Sequence, residues 1–259
     1  DSGQLPPVGP GLVFHVVAQD DRYTARLTTI HRHAEAGGIP VVARAIRNRA
    51  RDIPWKTYEG PASGVSRVPC HRSEGVETAV RVAGEIGSPG DDVQLVAARN
   101  ATVDRINRLF HDRYRGDAGE VRNPFGELFS VGDPVVHLRN DYRAGLFNGL
   151  LGRVTEVDPS QSTVTAVFEE QEHTFERKEL TNLQLAYCLT CHKMQGSQSE
   201  RVVVVVENIP RLVEPTWVYT AITRAQEQAV VVGSDDDVDR SLRRTPAFRL
   251  RTIGSSALP

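Results

Sequence analysis

Two thiols and an imidazole meet in the run Cys188-Leu-Thr-Cys191-His192. As CxxCH this is the attachment pattern of c-type haem, and with Cys70-His71 it could be assembled into a zinc site. Haem attachment needs export, yet the opening residues DSGQLPPVGPG have neither the basic flank nor the apolar centre of a secretion signal. Zinc would need ligands converging from residues as distant as Cys70 and Cys188. The expectation is no metal and no haem.

Phosphate chemistry leaves a different trace. A P-loop needs a Gly-Lys pair, because the lysine must reach the β and γ phosphates from a glycine-rich turn. The three lysines, Lys56, Lys178 and Lys193, follow Trp55, Arg177 and His192, so the chain has no such pair. It also lacks an apolar strand ending in Asp-Glu, the usual holder of Mg²⁺. Isolated groups remain. Gln4 lies in QLPPVGPG, which alone is a turn-rich loop, and Arg224 lies in TAITRA, where an arginine late in a helix ordinarily answers the helix dipole.

The elements that must position these groups follow from composition and period. The 259 residues are 39% hydrophobic and 25% charged, with 31 basic against 33 acidic side chains, enough apolar content for a real core and none of the signature of disorder. No apolar run approaches the ~20 residues that cross a bilayer, so a cytoplasmic location without membrane contact is expected. Three cysteines are too few for a disulfide framework. Arginines crowd from Arg22 to Arg51 and acids from Asp235 to Asp239, a basic stretch that faces phosphates or forms a solvated helix face.

Along the chain, residues 12–17 read as a short helix and 25–30 as a strand. Helical spacing follows over 39–51 and 74–86, then a strand over 93–98 and a helix with Val103, Ile106, Leu109 and Phe110 on one face. From 129 to 183 the period changes to two, with turns at Asn148-Gly149 and Asp158-Pro159, which predicts a small antiparallel barrel. Strands at 201–206 and 228–233, apolar on both faces, with a helix over 216–225 between them, restore the pattern of a parallel α/β sheet.

In order along the chain stand QLPPVGPG, Arg32-His33, RNDYRAGLFNG (139–149), LAYCLTCHKMQG (185–196) and YTAITRA (219–225). With these the chain resembles the RecD-like branch of the superfamily 1B DNA helicases over essentially its whole length. The resemblance implies a RecA-like parallel-sheet lobe of the P-loop NTPase type, the second of two motor domains, with an inserted SH3-like β-barrel. Its parts would be a remnant of the first lobe (1–24), the second lobe (25–128 and 184–259) and the barrel (129–183). The family places its Walker motifs before the GDxxQ motif and this sequence opens at Asp1, so the expectation is the C-terminal half of a motor, inactive as an ATPase alone.

The resemblance also implies roles. Arg32 and Arg224 match two arginines that stabilise the charge of phosphoryl transfer, and Gln4 a glutamine that senses the γ-phosphate. Asp1, Gln195, Gly196 and Gln198 match nucleotide contacts. Thr190, His192, Lys193 and Asn148 match contacts to single-stranded DNA. ATP and Mg²⁺, held mainly by a first lobe, would be the cofactors; the partners would be single-stranded DNA, that first lobe, and nuclease or relaxase modules, with 5′ to 3′ translocation as the activity. Three positions depart from the pattern: His33 stands in place of Gln, Gln198 in place of an acid, and Met194 in place of a small polar residue. The alternative is a non-catalytic module that binds DNA or protein.

Overall fold

Successive strand side chains point to opposite faces, so an unbroken valine run demands cover on both sides. Val203 and Val205 enter one hydrophobic cluster, while Val202, Val204 and Val206 enter another. Each fully buried valine contributes roughly 1.5–3 kcal/mol. The computed structural model describes residues 4–5, 22, 38–114 and 119–246. The expected helix over 12–17, the strand over 25–30 and the candidates Asp1, Arg32 and His33 lie outside the described residues.

In chain order the elements are α1 (Ile39–Arg47), β1 (Lys56–Thr57), β2 (Gly64–Pro69), α2 (Gly75–Ile86), β3 (Val93–Ala97) and α3 (Asn100–Tyr114). A hairpin follows, β4 (Val121–Arg122) and β5 (Leu128–Phe129), then β6 (Pro134–His137), β7 (Leu151–Asp158), β8 (Thr163–Phe168), β9 (Gln171–Phe175) and β10 (Leu183–Leu185). The chain continues with β11 (Cys188–Thr190), β12 (Ser199–Val205), α4 (Pro215–Ile222), β13 (Ala225–Gly233) and α5 (Asp235–Arg243).

Six strands build a sheet in the order β1-β2-β13-β12-β3-β11, every pair parallel. Helices α1, α4 and α5 cover one face, contributing Ile39, Ile46, Trp217, Ile222 and Val238. Helices α2 and α3 cover the other. The acids from Asp235 to Asp237 form the first turn of α5, where they answer the helix dipole behind an N-cap at Ser234. Asp237 also receives both arms of Arg72, at 2.7 and 2.8 Å.

Between α3 and β11 the chain makes a second sheet, antiparallel throughout, in the order β10-β6-β7-β8-β9. The period-two segment therefore does form strands. Its fifth strand, β10, begins at the expected boundary and continues two residues past it. No ladder joins the edge strands β9 and β10 among the described residues. Gly152 faces Phe168 across the β7–β8 pair, where a β-carbon would stand 2.6 Å from the ring. The inner face, with Val154, Val164, Ala166 and Phe168, joins the cluster under α2 and α3.

Two expected boundaries shift. The helix expected over 39–51 stops at Arg47, because Arg49 takes a left-handed conformation, φ 55°. The helix expected over 216–225 stops at Ile222, where the Thr223 hydroxyl donates back to Tyr219 O and Thr220 O. Arg224 thus lies in the turn before β13. On α3 the inward position goes to Asn107, 1% exposed, while Leu109 is 36% exposed.

Candidate functional site

Thr190 ends β11 opposite Ala97, the last residue of β3, whereas Ser199 opens β12 opposite Ala225, the first residue of β13. In a parallel sheet these are opposite edges, so residues 191–198 cross the sheet from one edge to the other. Backbone bonds from Met194 to Thr190 O, Gln195 to His192 O and Ser197 to Met194 O fold this crossing into tight turns. Cys191 and Met194 anchor it in the core under α4. Burial to 1% exposure gives Met194 a packing role that a small polar residue could not fill.

At the Ser199 edge, Arg224 is 4% exposed. Its Nε donates to Thr220 O at 3.1 Å, capping the last turn of α4, and Nη1 donates to Ser197 O at 3.3 Å. Nη2 reaches the Thr223 hydroxyl at 3.5 Å. The Gln4-Leu5 segment meets the same place. Leu5 N donates to Thr220 Oγ1 at 2.9 Å, and the Gln195 amide donates to Leu5 O at 3.3 Å. Gln198 accepts from Gln226 Nε2 at 3.5 Å, and Gly196 adopts φ +94°. Of the phosphate and nucleotide candidates, Gln4, Gln195, Gly196, Gln198 and Arg224 therefore share one neighbourhood.

At the Thr190 edge the partners are side chains. Lys193 donates to Gln184 Oε1, and Gln184 Nε2 donates in turn to Asp104 Oδ1 at 3.1 Å. Burial pulls the Lys193 pKa below its ordinary value against the charges of Asp104 and Glu127. Burial likewise lowers that of His192, favouring the neutral imidazole. Glu127 is pushed up to about 7 by burial, against the opposing bond from Leu185 N at 3.1 Å. Lys193, Gln184, Asp104 and Glu127 line a cavity of about 720 Å³ between α3, the β4–β5 hairpin and the inserted sheet. The Asn148-Gly149 turn adjoins them: a β-carbon on Gly149 would stand 4.0 Å from Lys193 O. Asn148 itself is exposed, and its N–H donates to Asn140 Oδ1 at 2.8 Å.

Residues without a sequence motif join the two sheets. The chain leaves β10 and enters β11 within two residues, and Asn107 spans the step. Its Nδ2 donates to Leu185 O and Cys188 O at 2.7 and 3.2 Å, and its Oδ1 accepts from Cys188 N at 2.7 Å. Gln94 Nε2 donates to Ala186 O and Tyr187 O, both at 3.1 Å. Below them Asp133 accepts from Tyr187 Oη at 2.8 Å and Ser130 N at 2.7 Å, with His111 Nδ1 at 2.8 Å. Burial alone would lower the His111 pKa, but the Asp133 bond and the charges of Asp133, Glu120 and Asp112 raise it. One signal for Asn107 was legible: an amide on the apolar stripe of α3 needs partners.

The CxxCH thiols go separate ways. Cys188 belongs to the cluster on one face of the parallel sheet and Cys191 to the cluster on the other. Burial raises both thiol pKa values, that of Cys191 to about 12. Among the described residues no group of three or more His, Cys, Asp or Glu side chains could hold a metal ion, and no helix is long and apolar enough to cross a membrane.

Comparison with known proteins bears on this arrangement. The UvrD-like helicase C-terminal domain family matches residues 185–232, the stretch holding both the crossing segment and Arg224. The ATP-dependent RecD2 DNA helicase of Deinococcus radiodurans is 34% identical over 241 residues, covering 90% of this chain and 32% of that protein. The RecBCD enzyme subunit RecD of Mycolicibacterium smegmatis is 29% identical, covering 94% of this chain and 46% of that one. The chain thus spans less than half the length of either. In fold it is similar to the Pif1 helicase from Bacteroides in complex with ADP-AlF3 and single-stranded DNA, with a TM-score of 0.60 and 19% identity over 96% of this chain and 64% of that one.

Proposed function

The chain belongs to the RecD/TraA-like superfamily 1B helicases, as their C-terminal region, and from that premise we propose that it supplies the second motor lobe of an ATP-dependent DNA helicase moving 5′ to 3′ on single-stranded DNA. In this reading residues 25–128 and 184–259 are the lobe, 129–183 an SH3-like barrel, and 1–24 belong to the first lobe. ATP with Mg²⁺, held mainly by a first lobe, supplies the phosphoryl bond whose cleavage drives the cycle. The chain has no Gly-Lys pair to cradle the phosphates, so by itself it does not hydrolyse ATP. What it offers instead is the γ-phosphate side: the Arg224 guanidinium, the Gln195 amide and the Gln4 loop.

The observation that carries the reading is the crossing segment. Residues 191–198 hold Lys193 near one edge of the parallel sheet and run to the Arg224 cluster at the other. A shift of Ser197 or Gln195 on phosphate contact therefore moves the same short backbone that carries Thr190, His192 and Lys193. Arg224 and Arg32 carry charge that cannot be lost, which suits the γ-phosphate oxygens. The Nη contacts of Arg224 to Ser197 O and the Thr223 hydroxyl, longer than the Nε bond, are those a phosphate oxygen replaces, while Nε stays on Thr220 O. Gln4 reports the phosphate through its neighbour Leu5, which Thr220 and Gln195 hold. Asp1, Gly196 and Gln198 line the nucleotide, with Gln198 accepting a hydrogen bond but offering no charge. Thr190, His192, Lys193 and Asn148 contact the strand without reading bases.

Reconstitution tests this. Mixing the chain with a first lobe that carries the Walker motifs should restore DNA-stimulated ATP hydrolysis, measured as phosphate release. Arg224→Ala should reduce it by about 10³-fold or more, and Arg224→Lys should not rescue it. Full activity of a folded Arg224→Ala protein would refute the assignment.

A further inference from the structure

Tyr142 is 78% exposed and Phe147 45% exposed. They pack edge to face on one loop, ring centroids 6.0 Å apart, which leaves ring faces open to solvent. The loop that presents them is braced. Asp141 and Leu146 exchange backbone bonds of 2.7 and 3.0 Å, and Asn140 Oδ1 holds the Asn148 N–H. The Asp141 carboxylate accepts from the N–H groups of Arg143 and Ala144 at 3.0 and 3.2 Å, so it is committed to the turn. Arg139 and Arg143 stand exposed on the same loop. At its end Gly149 lies against the Lys193 backbone. A rigid loop that keeps two large rings in water beside two guanidinium groups suits a ligand with flat apolar faces joined by anionic links.

We propose that Tyr142 and Phe147 are a stacking platform for the bases of single-stranded DNA, with Arg139 and Arg143 on the flanking phosphates, continuing the path that Lys193 begins. This rests on the DNA-binding reading above and adds the part of the nucleotide that is held. Stacking on a ring is tolerant of sequence because every base has a π face, as a translocating motor requires. The open geometry of the pair favours bases over a protein surface, which would pack both rings into a dry pocket.

Fluorescence anisotropy of a labelled oligo-dT strand on the full chain decides it. Tyr142→Ala and Phe147→Ala should each weaken binding by roughly 5- to 150-fold, Tyr142→Phe should bind like the parent, and the dependence of log K on log salt should keep its slope. On a strand of the same length built from abasic sites, both alanine variants should match the parent protein. The platform is overturned if the alanine variants bind oligo-dT normally while Lys193→Ala weakens it, a result that leaves the DNA-binding reading standing. It is equally overturned if the loss persists on the abasic strand. Absence of oligo-dT binding by the parent chain overturns both. Because Tyr142 is largely exposed and Phe147 nearly half exposed, melting temperatures close to the parent's are expected and verify that each variant is folded.

Discussion

Arg224 and Lys193 are cations at opposite ends of one crossing segment, held in unlike ways. Arg224 is gripped by Thr220 O and Ser197 O within the parallel lobe. Lys193 is gripped by the Gln184 side chain from β10, with Asp104 of α3 and Glu127 beside the β4–β5 hairpin as charged neighbours. Main-chain acceptors move only when the lobe's backbone moves, whereas side-chain acceptors can change rotamer or protonation state. On the proposed reading, the Arg224 end follows rigid-body motion with the nucleotide, and the Lys193 end exchanges partners as a strand slides.

The contrast can be broken by experiment. The largest effect expected is the loss of assisted hydrolysis with Arg224→Ala. Next comes Asn107→Ala, which leaves Cys188 N and the Leu185 and Cys188 carbonyls without their amide partner at the seam. It should cost about 3 kcal/mol in denaturant unfolding. Oligo-dT binding should suffer too, since Gln184 hangs from the same strand. An unchanged midpoint would remove Asn107 from the seam.

Protonation gives a smaller effect with a definite sign. Glu127 has a folded pKa of about 7, above its ordinary value of 4.5, so its contribution is fully present below pH 4.5 and is lost as pH rises toward 7. The raised His111 pKa acts in the same direction around and above its unfolded value of 6.5. Stability should therefore fall between pH 5 and pH 8 from these two groups, and Glu127→Gln should flatten the profile by about 2 kcal/mol. Parallel profiles for parent and variant would show Glu127 ionised throughout. Smallest of all, Lys193→Ala should reduce the slope of log K against log salt by about 0.7, the share of one phosphate on a single strand. An unaltered slope would mean that Lys193 stays on Gln184.

Much of this was legible in the text. The valine runs announced a sheet covered on both faces, the change to period two announced the inserted strands, and the order of motifs pointed to the helicase lineage. Asn107, Gln94 and Asp133 went unread because their partners are backbone groups and side chains dozens of residues away, which no local pattern specifies. Arg224 was picked out by motif, but not its place beyond the helix end, which Thr223 decides by turning its hydroxyl back on Tyr219 O and Thr220 O. The thiols of CxxCH look like a pair in the sequence. Their separation by the sheet is set by the pleat of β11 and the turn after it.

By itself, then, the sequence determined the strand and helix periods and the lineage, because those depend on neighbours within a few residues or on a fixed order of motifs. Only the tertiary structure decided that one segment carries Lys193 and reaches Arg224 across the sheet, and that a buried amide joins the two sheets. Parallel pairing brings distant stretches into register through contacts that neither stretch encodes alone.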